Sequence, residues 1–88
     1  MANHKSALKR IRQNTVRRAH NRHYRSTMRT EIKKLLTAID AGDADAAKAQ
    51  LPQTVSMIQR VAQKGIIHRR QAARRVSRLA SKVNALSA

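Results

Sequence analysis

The sequence contains no cysteine, tryptophan or phenylalanine, and Tyr24 is its one aromatic residue besides histidine. Without cysteine, neither a disulfide framework nor a thiolate zinc site can add stability, and nothing indicates an oxidising compartment. With a single tyrosine, the base stacking used by single-strand-binding proteins is unavailable. A membrane-active cationic helix is also disfavoured, because it needs large apolar residues opposite its charged face.

Long apolar runs are missing as well. No run approaches the roughly 18 residues of a membrane span, and the N-terminus is not followed by an apolar core of signal-peptide length. We therefore expect a cytoplasmic protein without membrane contact. At 88 residues the chain makes one domain, over residues 1–88. Because so small a chain buries little surface, we expect its stability alone to be marginal.

Acidic residues are few: Glu31, Asp40, Asp43 and Asp45 stand against 20 lysines and arginines, which gives a net charge of +16. Residues 1–29 carry nine basic residues and no acidic one, and residues 46–88 repeat this pattern. Such a charge repels itself in a compact monomer unless a polyanion neutralises it. The charge pattern therefore predicts binding to a phosphate backbone, and we expect no homo-oligomer.

Helical periodicity is present in three segments, and strand-like alternation is absent. Spacings of three and four residues relate the apolar positions within each segment, which are Met28, Ile32, Leu35, Leu36 and Ile39; Leu51, Val55, Ile58 and Val61 or Ala62; and Ala72, Val76, Leu79, Val83 and Leu86. The predicted fold is all-α, a three-helix bundle with short connections. Gly42 and Gly65 are expected to end the first two helices, and Asp43 to cap the second.

Pro52 complicates the second helix. An interior proline removes one backbone hydrogen bond and costs about 3 kcal/mol. Its position predicts either a kink or a break near Leu51. Alternatively, Pro52 is the first residue of a shorter helix that follows a separate turn.

The first helix loses its apolar face towards the N-terminus. Beyond Tyr24, the same face carries Asn21, Arg17, Asn14 and Arg10. A helix without an apolar stripe cannot be held by a protein core, so residues 1–27 are predicted to form a basic arm that projects beyond the bundle of residues 28–88. The alternative is a disordered basic tail, and the two agree if the arm folds on binding.

The third helix offers a second basic surface. Arg70, Arg74, Arg78 and Lys82 advance by about 40° each around the helix, with Arg75 beyond them and the apolar seam opposite. No acidic residue lies near them in sequence. Two separated basic surfaces suit structured RNA, whose 2′-hydroxyls also offer partners for Asn21, Ser26, Thr30 and Ser77. The alternative is a nucleoid-type protein that binds any DNA duplex.

Catalytic and metal-binding interpretations are weak. His20 and His23 have a metal-compatible spacing, but arginines surround them and no carboxylate is near. Asp43 and Asp45 lack the spacing of a calcium loop and suit the start of a helix. No nucleophile stands beside a base. We therefore predict no catalytic residue, no metal, no cofactor and no small-molecule substrate.

Several motifs resemble a known family. They are Ala2-Asn3-His4-Lys5-Ser6-Ala7 with Lys9-Arg10; Ala41-Gly42-Asp43; Lys64-Gly65-Ile66-Ile67-His68-Arg69; and Ala72-Ala73-Arg74-Arg75 with Ser77-Arg78-Leu79. Together they closely resemble the bacterial small-subunit ribosomal protein number twenty, over nearly the whole chain. Arg70 and Val76 depart from the family pattern, which has asparagine and a basic residue there.

The resemblance implies a three-helix bundle with an extended first helix that binds 16S ribosomal RNA directly, early in assembly of the small subunit. A ribosome-bound structural protein, rather than an enzyme, is therefore expected. His68, at the start of the third helix, is either a helix cap or an RNA contact. Charge and resemblance together give the predicted RNA-binding residues: Asn3, Lys5, Ser6, Lys9, Arg10, Arg12, Arg17, Arg18, Asn21, Arg22, Arg25, Ser26, Arg29, Lys64, Gly65, His68, Arg69, Arg70, Arg74, Arg75, Ser77, Arg78 and Lys82.

Overall fold

Three helices account for nearly all of the chain. The computed structural model describes the backbone of residues 3–87 and the side chains of residues 5–86. The helices are α1 (Asn3–Asp40), α2 (Ala44–Gln63) and α3 (Arg69–Ser87), and no strand occurs within residues 3–87. The prediction of an all-α bundle with a long first helix is confirmed.

Glycines end α1 and α2 as the sequence predicts. Gly42 has φ 71° and Gly65 has φ 77°, a left-handed conformation that glycine adopts without strain. After α1, the amide of Gly42 donates to Ile39 O at 3.0 Å and that of Asp43 to Ala38 O at 3.1 Å. This pair of bonds is the Schellman motif.

The same motif closes α2. The amide of Gly65 donates to Ala62 O at 2.9 Å and that of Ile66 to Val61 O at 3.1 Å. Between the two motifs, Asp43 begins α2 as its N-cap, because its Oδ1 accepts from the Ala46 amide at 3.1 Å. The two chain reversals are therefore fixed by local hydrogen bonds, and α2 runs antiparallel to both of its neighbours.

The core is a narrow apolar seam between the helices. Its largest fully buried apolar side chains are Leu35 from α1, Ile58 and Val61 from α2, and Val83 from α3. Met28, Ala47, Ala72 and Leu79 complete the buried set. Removing these side chains from water, at about 25 cal/mol per Å² of apolar area, is the main force that holds the helices together.

The predicted apolar seam of α2 is wrong at one position, because Val55 does not pack against the buried core. Val55 is only half-buried, and the fully buried position is its neighbour Thr54. The Thr54 hydroxyl lies 3.2 Å from both Glu31 O and Gln50 O, and it accepts from Gln50 Nε2 at 3.3 Å. Because its polar atom is satisfied, threonine can occupy the interface between α1 and α2.

Pro52 neither breaks nor begins α2, which runs without interruption from Ala44 to Gln63. Of the alternatives predicted for Pro52, a break near Leu51 and the start of a shorter helix are therefore both wrong. Pro52 is exposed and lies about 150° around the helix from the buried stripe. Water can therefore reach the Lys48 carbonyl, which lacks the proline N–H as a partner, and this lowers the cost of the missing bond.

The N-terminal half of α1 leaves the bundle. Every side chain from Lys5 to His20 is exposed, and the first half-buried residues are Asn21 and Tyr24. At 1.5 Å per residue, the 38 residues of α1 span about 57 Å, close to the 66 Å long axis of the molecule. The other two axes measure 21 and 15 Å. A rod of helix therefore extends from a small bundle.

Candidate nucleic-acid interface

The first basic surface lies on α1 where the arm meets the bundle. Residues spaced by three and four share one face of a helix, and six of the predicted RNA-binding residues do so here. This proximal arginine face consists of Arg18, Asn21, Arg22, Arg25, Ser26 and Arg29, which line one open groove. All of them are exposed except Asn21, which is half-buried. The face therefore offers four guanidinium groups and two polar side chains to the same ligand.

Within residues 5–86, these cations have no protein counterions. Among the described side chains the one ion pair is Lys34 with Glu31, at 3.5 Å. Exposed guanidinium groups present five donors in a planar fork that matches phosphate oxygens. The proximal arginine face is thus free to bind a polyanion.

The distal arm carries charge on several sides. Lys5, Lys9, Arg12 and Arg17 line one groove, whereas Ser6 and Arg10 line another. All six are exposed. Asn3 belongs to α1, but its side chain lies outside the described residues. A rod charged around its circumference can contact nucleic acid on more than one side.

The second basic surface is on α3. Arg70, Arg74, Arg78 and Lys82 are exposed, while Ala72, Leu79 and Val83 on the opposite side are buried. Arg69 and Ser77 are also exposed, but Arg75 is half-buried because it lies next to the apolar seam. Val76 packs against the core. The helix therefore separates packing and charge onto opposite faces.

The antiparallel packing brings the start of α3 to the end of the bundle from which the arm projects. Glu31 of α1 contacts Thr54 of α2. Ten residues after Thr54, Lys64 Nζ lies 4.7 Å from the centre of the ring of Tyr24, which is seven residues before Glu31 in α1. The loop that joins α2 to α3 therefore lies beside Tyr24. Arg69 and Arg70, at the start of α3, therefore lie at the same end of the bundle as the proximal arginine face.

Tyr24 connects α1 to the loop between α2 and α3. Its ring is half-buried, packs against the core, meets His23 edge-on at 5.7 Å and carries the Lys64 ammonium on its face. Such a cation–π contact is worth about 0.5–1 kcal/mol at an exposed site. Periodicity and spacing do not predict this pairing, because the two residues are far apart in the chain.

His68 acts as a helix cap. Its Nδ1 accepts a hydrogen bond from the Arg70 amide at 3.1 Å, and its carbonyl accepts from the Ala72 amide at 3.1 Å. Of the two roles expected for His68, the structure shows the cap. The exposed ring still presents Nε2 to solvent, so contact with RNA stays a prediction. Gly65, just before it, is exposed.

Three of the four acidic residues lie at the other end of the bundle. Asp40, Asp43 and Asp45 are all exposed around the turn between α1 and α2. Within the described residues, no group of three or more histidine or acidic side chains could hold a metal ion. None of the helices, as far as they are described, is long and apolar enough to cross a membrane.

Comparisons with known proteins show which family the chain resembles. The family model described as ribosomal protein S20 matches residues 2–84. Relatives named small ribosomal subunit protein bS20 include one from Saccharophagus degradans, 53% identical over all of both chains, and one from Desulfatibacillum aliphaticivorans, 49% identical over 99% of each. Another, from Geotalea daltonii, is 53% identical over 99% of this chain and 100% of its own. The chain belongs to the ribosomal protein S20 family.

Proposed function

We propose that this protein is a structural constituent of the small ribosomal subunit that binds 16S ribosomal RNA directly and stabilises its fold during assembly. The observation that carries the proposal is the presence of two exposed basic surfaces, on α1 and on α3, whose cations have no counterion among the described side chains. The relatives are named as small-subunit proteins. Ribosomal proteins of this family are structural components rather than enzymes.

The protein binds RNA through electrostatic contacts with phosphates and through hydrogen bonds that fix its orientation. The proximal arginine face and the basic face of α3 each neutralise phosphates, while Asn21, Ser26 and Ser77 supply hydrogen bonds to ribose and phosphate oxygens. Lys64 and His68 lie in the loop that joins α2 to α3, where Lys64 rests on the Tyr24 ring and His68 caps α3. One RNA segment on each surface would be held at a fixed separation by the rigid bundle.

The chain acts as one unit in this proposal, with residues 1–27 as the projecting arm and residues 28–88 as the bundle. An isolated helix with no apolar stripe is marginal in water, and like charges along it add repulsion. Phosphates remove that repulsion, so the arm gains helix content when it binds. The protein is ribosome-bound in the cytoplasm and uses neither a cofactor nor a small-molecule substrate.

The test is binding to the 5′ domain of 16S ribosomal RNA compared with random duplex DNA at physiological salt. A preference of roughly several hundredfold for the RNA, with helix content rising on binding, is expected. If about eight phosphates are neutralised, the slope of log K against log salt is about −6 to −7. Equal affinities that vanish together as salt rises would instead assign a nucleoid-type DNA-binding role.

A further inference from the structure

Phosphate contacts leave one feature of the arm unexplained. Three large apolar side chains are exposed on it: Leu8 at 55%, Ile11 at 61% and Val16 at 54% of their full accessible surface. No other part of the described chain exposes apolar side chains of this size to a comparable degree. Charged residues alone would suffice to attract a polyanion, so the apolar groups indicate a ligand with an apolar surface of its own.

Leu8 and Val16 lie along one side of α1. They are eight residues apart, so about two helical turns separate them, with Arg12 between them on the same side. Together they form the floor of one groove, the Leu8–Val16 groove, whose other lining residues are Lys5, Lys9, Arg12, Gln13 and Arg17. The groove thus combines an apolar floor with four cations around it.

Ile11 occupies a different environment. Its groove is lined by Ser6, Ala7, Arg10 and Asn14, so Arg10 is the one cation there. Ile11 is at least as exposed as Leu8 and Val16. The two grooves therefore differ in charge while their apolar side chains are similar in exposure, which makes Ile11 a matched control.

We propose that the Leu8–Val16 groove seats the ribose edges of a double-helical RNA segment, with its cations on the flanking phosphates. This inference rests on the proposed function and adds the part of the RNA that the distal arm reads. The A-form minor groove is wide and shallow and displays sugars along its rim, so it can admit one face of a single α-helix. Ribose C–H groups meet the apolar floor, and the phosphates on either side meet Lys5, Lys9, Arg12 and Arg17.

Electrostatic repulsion makes RNA, rather than a second copy of the chain, the favoured occupant of the Leu8–Val16 groove. A second arm would bring the same basic residues against these, without any acidic residue between residues 1 and 30 to offset them. The net charge of +16 makes that approach unfavourable over the whole molecule. An apolar surface ringed by phosphates satisfies both properties of the groove at once.

The test uses the full chain with Leu8→Gln and Val16→Gln together. Glutamine is uncharged and a good helix former, so neither the charge nor the helix propensity of the arm changes much. We expect affinity for the 5′ domain of 16S ribosomal RNA to fall about tenfold, from loss of the two aliphatic contacts with ribose. The slope of log K against log salt stays unchanged, because no phosphate contact is removed.

Ile11→Gln is the matched control and should change the affinity less than about twofold. Hydroxyl-radical footprinting should show ribose protections that the double variant loses and the Ile11→Gln variant retains. Wild-type affinity in the double variant would overturn the proposal, as would loss of self-association in that variant, which would assign the groove to a second copy. In either case the preference of the wild type for the RNA over duplex DNA would still stand, so the proposed function would fail only if that preference were absent.

Discussion

Replacing Gln50 with alanine should loosen the contact between α1 and α2. Gln50 Nε2 donates to Glu31 Oε2 at 2.6 Å, and Glu31 also faces Lys34 Nζ at 3.5 Å. The Glu31 side chain is 19% exposed. Gln50 is therefore the main donor to a carboxylate that the helix interface largely covers.

The size of the effect follows from the kind of bond. A hydrogen bond to a charged group contributes about 1.5–3 kcal/mol. Water can still reach part of the Glu31 carboxylate, and alanine favours a helix more than glutamine by a few tenths of a kcal/mol, so the net loss should be about 1–2 kcal/mol. For a domain of this size, that loss lowers Tm by roughly 5–15 °C.

Urea and thermal unfolding followed by circular dichroism measure the loss, in 0.5 M KCl so that repulsion among the arginines is screened. Gln53→Ala is the control, because Gln53 is exposed on the same helix. A Gln50→Ala variant with the same stability as Gln53→Ala would refute the reasoning. It would mean that the bond to Glu31 adds nothing to the packing of the two helices.

Three further predictions concern α3. Leu79 is buried, so Leu79→Ala should lower the free energy of unfolding by about 2–5 kcal/mol in urea titrations; an unchanged midpoint would contradict its place in the core. Arg74→Ala and Arg78→Ala should each reduce the magnitude of the salt slope of RNA binding by about 1 without altering the circular dichroism spectrum. His68→Ala should destabilise the protein by about 1 kcal/mol through loss of the cap on the Arg70 amide, and His68→Asn should restore it. If His68→Asn restores stability but RNA affinity stays low, the imidazole also contacts RNA, whereas full recovery of affinity would leave capping as its whole role.

Most of the fold was predictable because its signals are local. Gly42 and Gly65 are the only glycines in the chain, and each ends a helix with a positive φ. Asp43 stands where an N-cap is needed. The apolar seam of α3 also follows directly from its spacing, since Leu79 and Val83 are buried on one side.

The predictions for α2 were wrong where contacts between helices determine which residues are buried. Thr54 replaces Val55 in the core because Gln50 and Glu31 satisfy its hydroxyl, and neither partner can be identified from periodicity. Pro52 is accommodated because it faces solvent, which depends on how α2 is rotated against α1. Tertiary context thus overrode local propensity at both positions.

The features of the candidate interface also differ in how far local sequence patterns predict them. The proximal arginine face could be anticipated, because charge and helical spacing suffice to define it. The approach of Lys64 to Tyr24 could not, since it depends on how the helices pack. The exposure of Leu8 and Val16 was also missed, because two isolated apolar residues form no periodic stripe.

The acidic turn and the basic arm lie at opposite ends of a rod 66 Å long. The positive charge of the molecule is therefore concentrated towards the arm, and the field of a polyanion exerts a torque on it at distances beyond contact. Within about one Debye length, roughly 8–10 Å at physiological salt, that torque turns the arm towards the RNA and the aspartates away from it. The first contact between protein and RNA is therefore made by the arm. Neutralising Asp40, Asp43 and Asp45 would raise the net charge from +16 to +19 and speed association, but a smaller share of those encounters would begin with the arm.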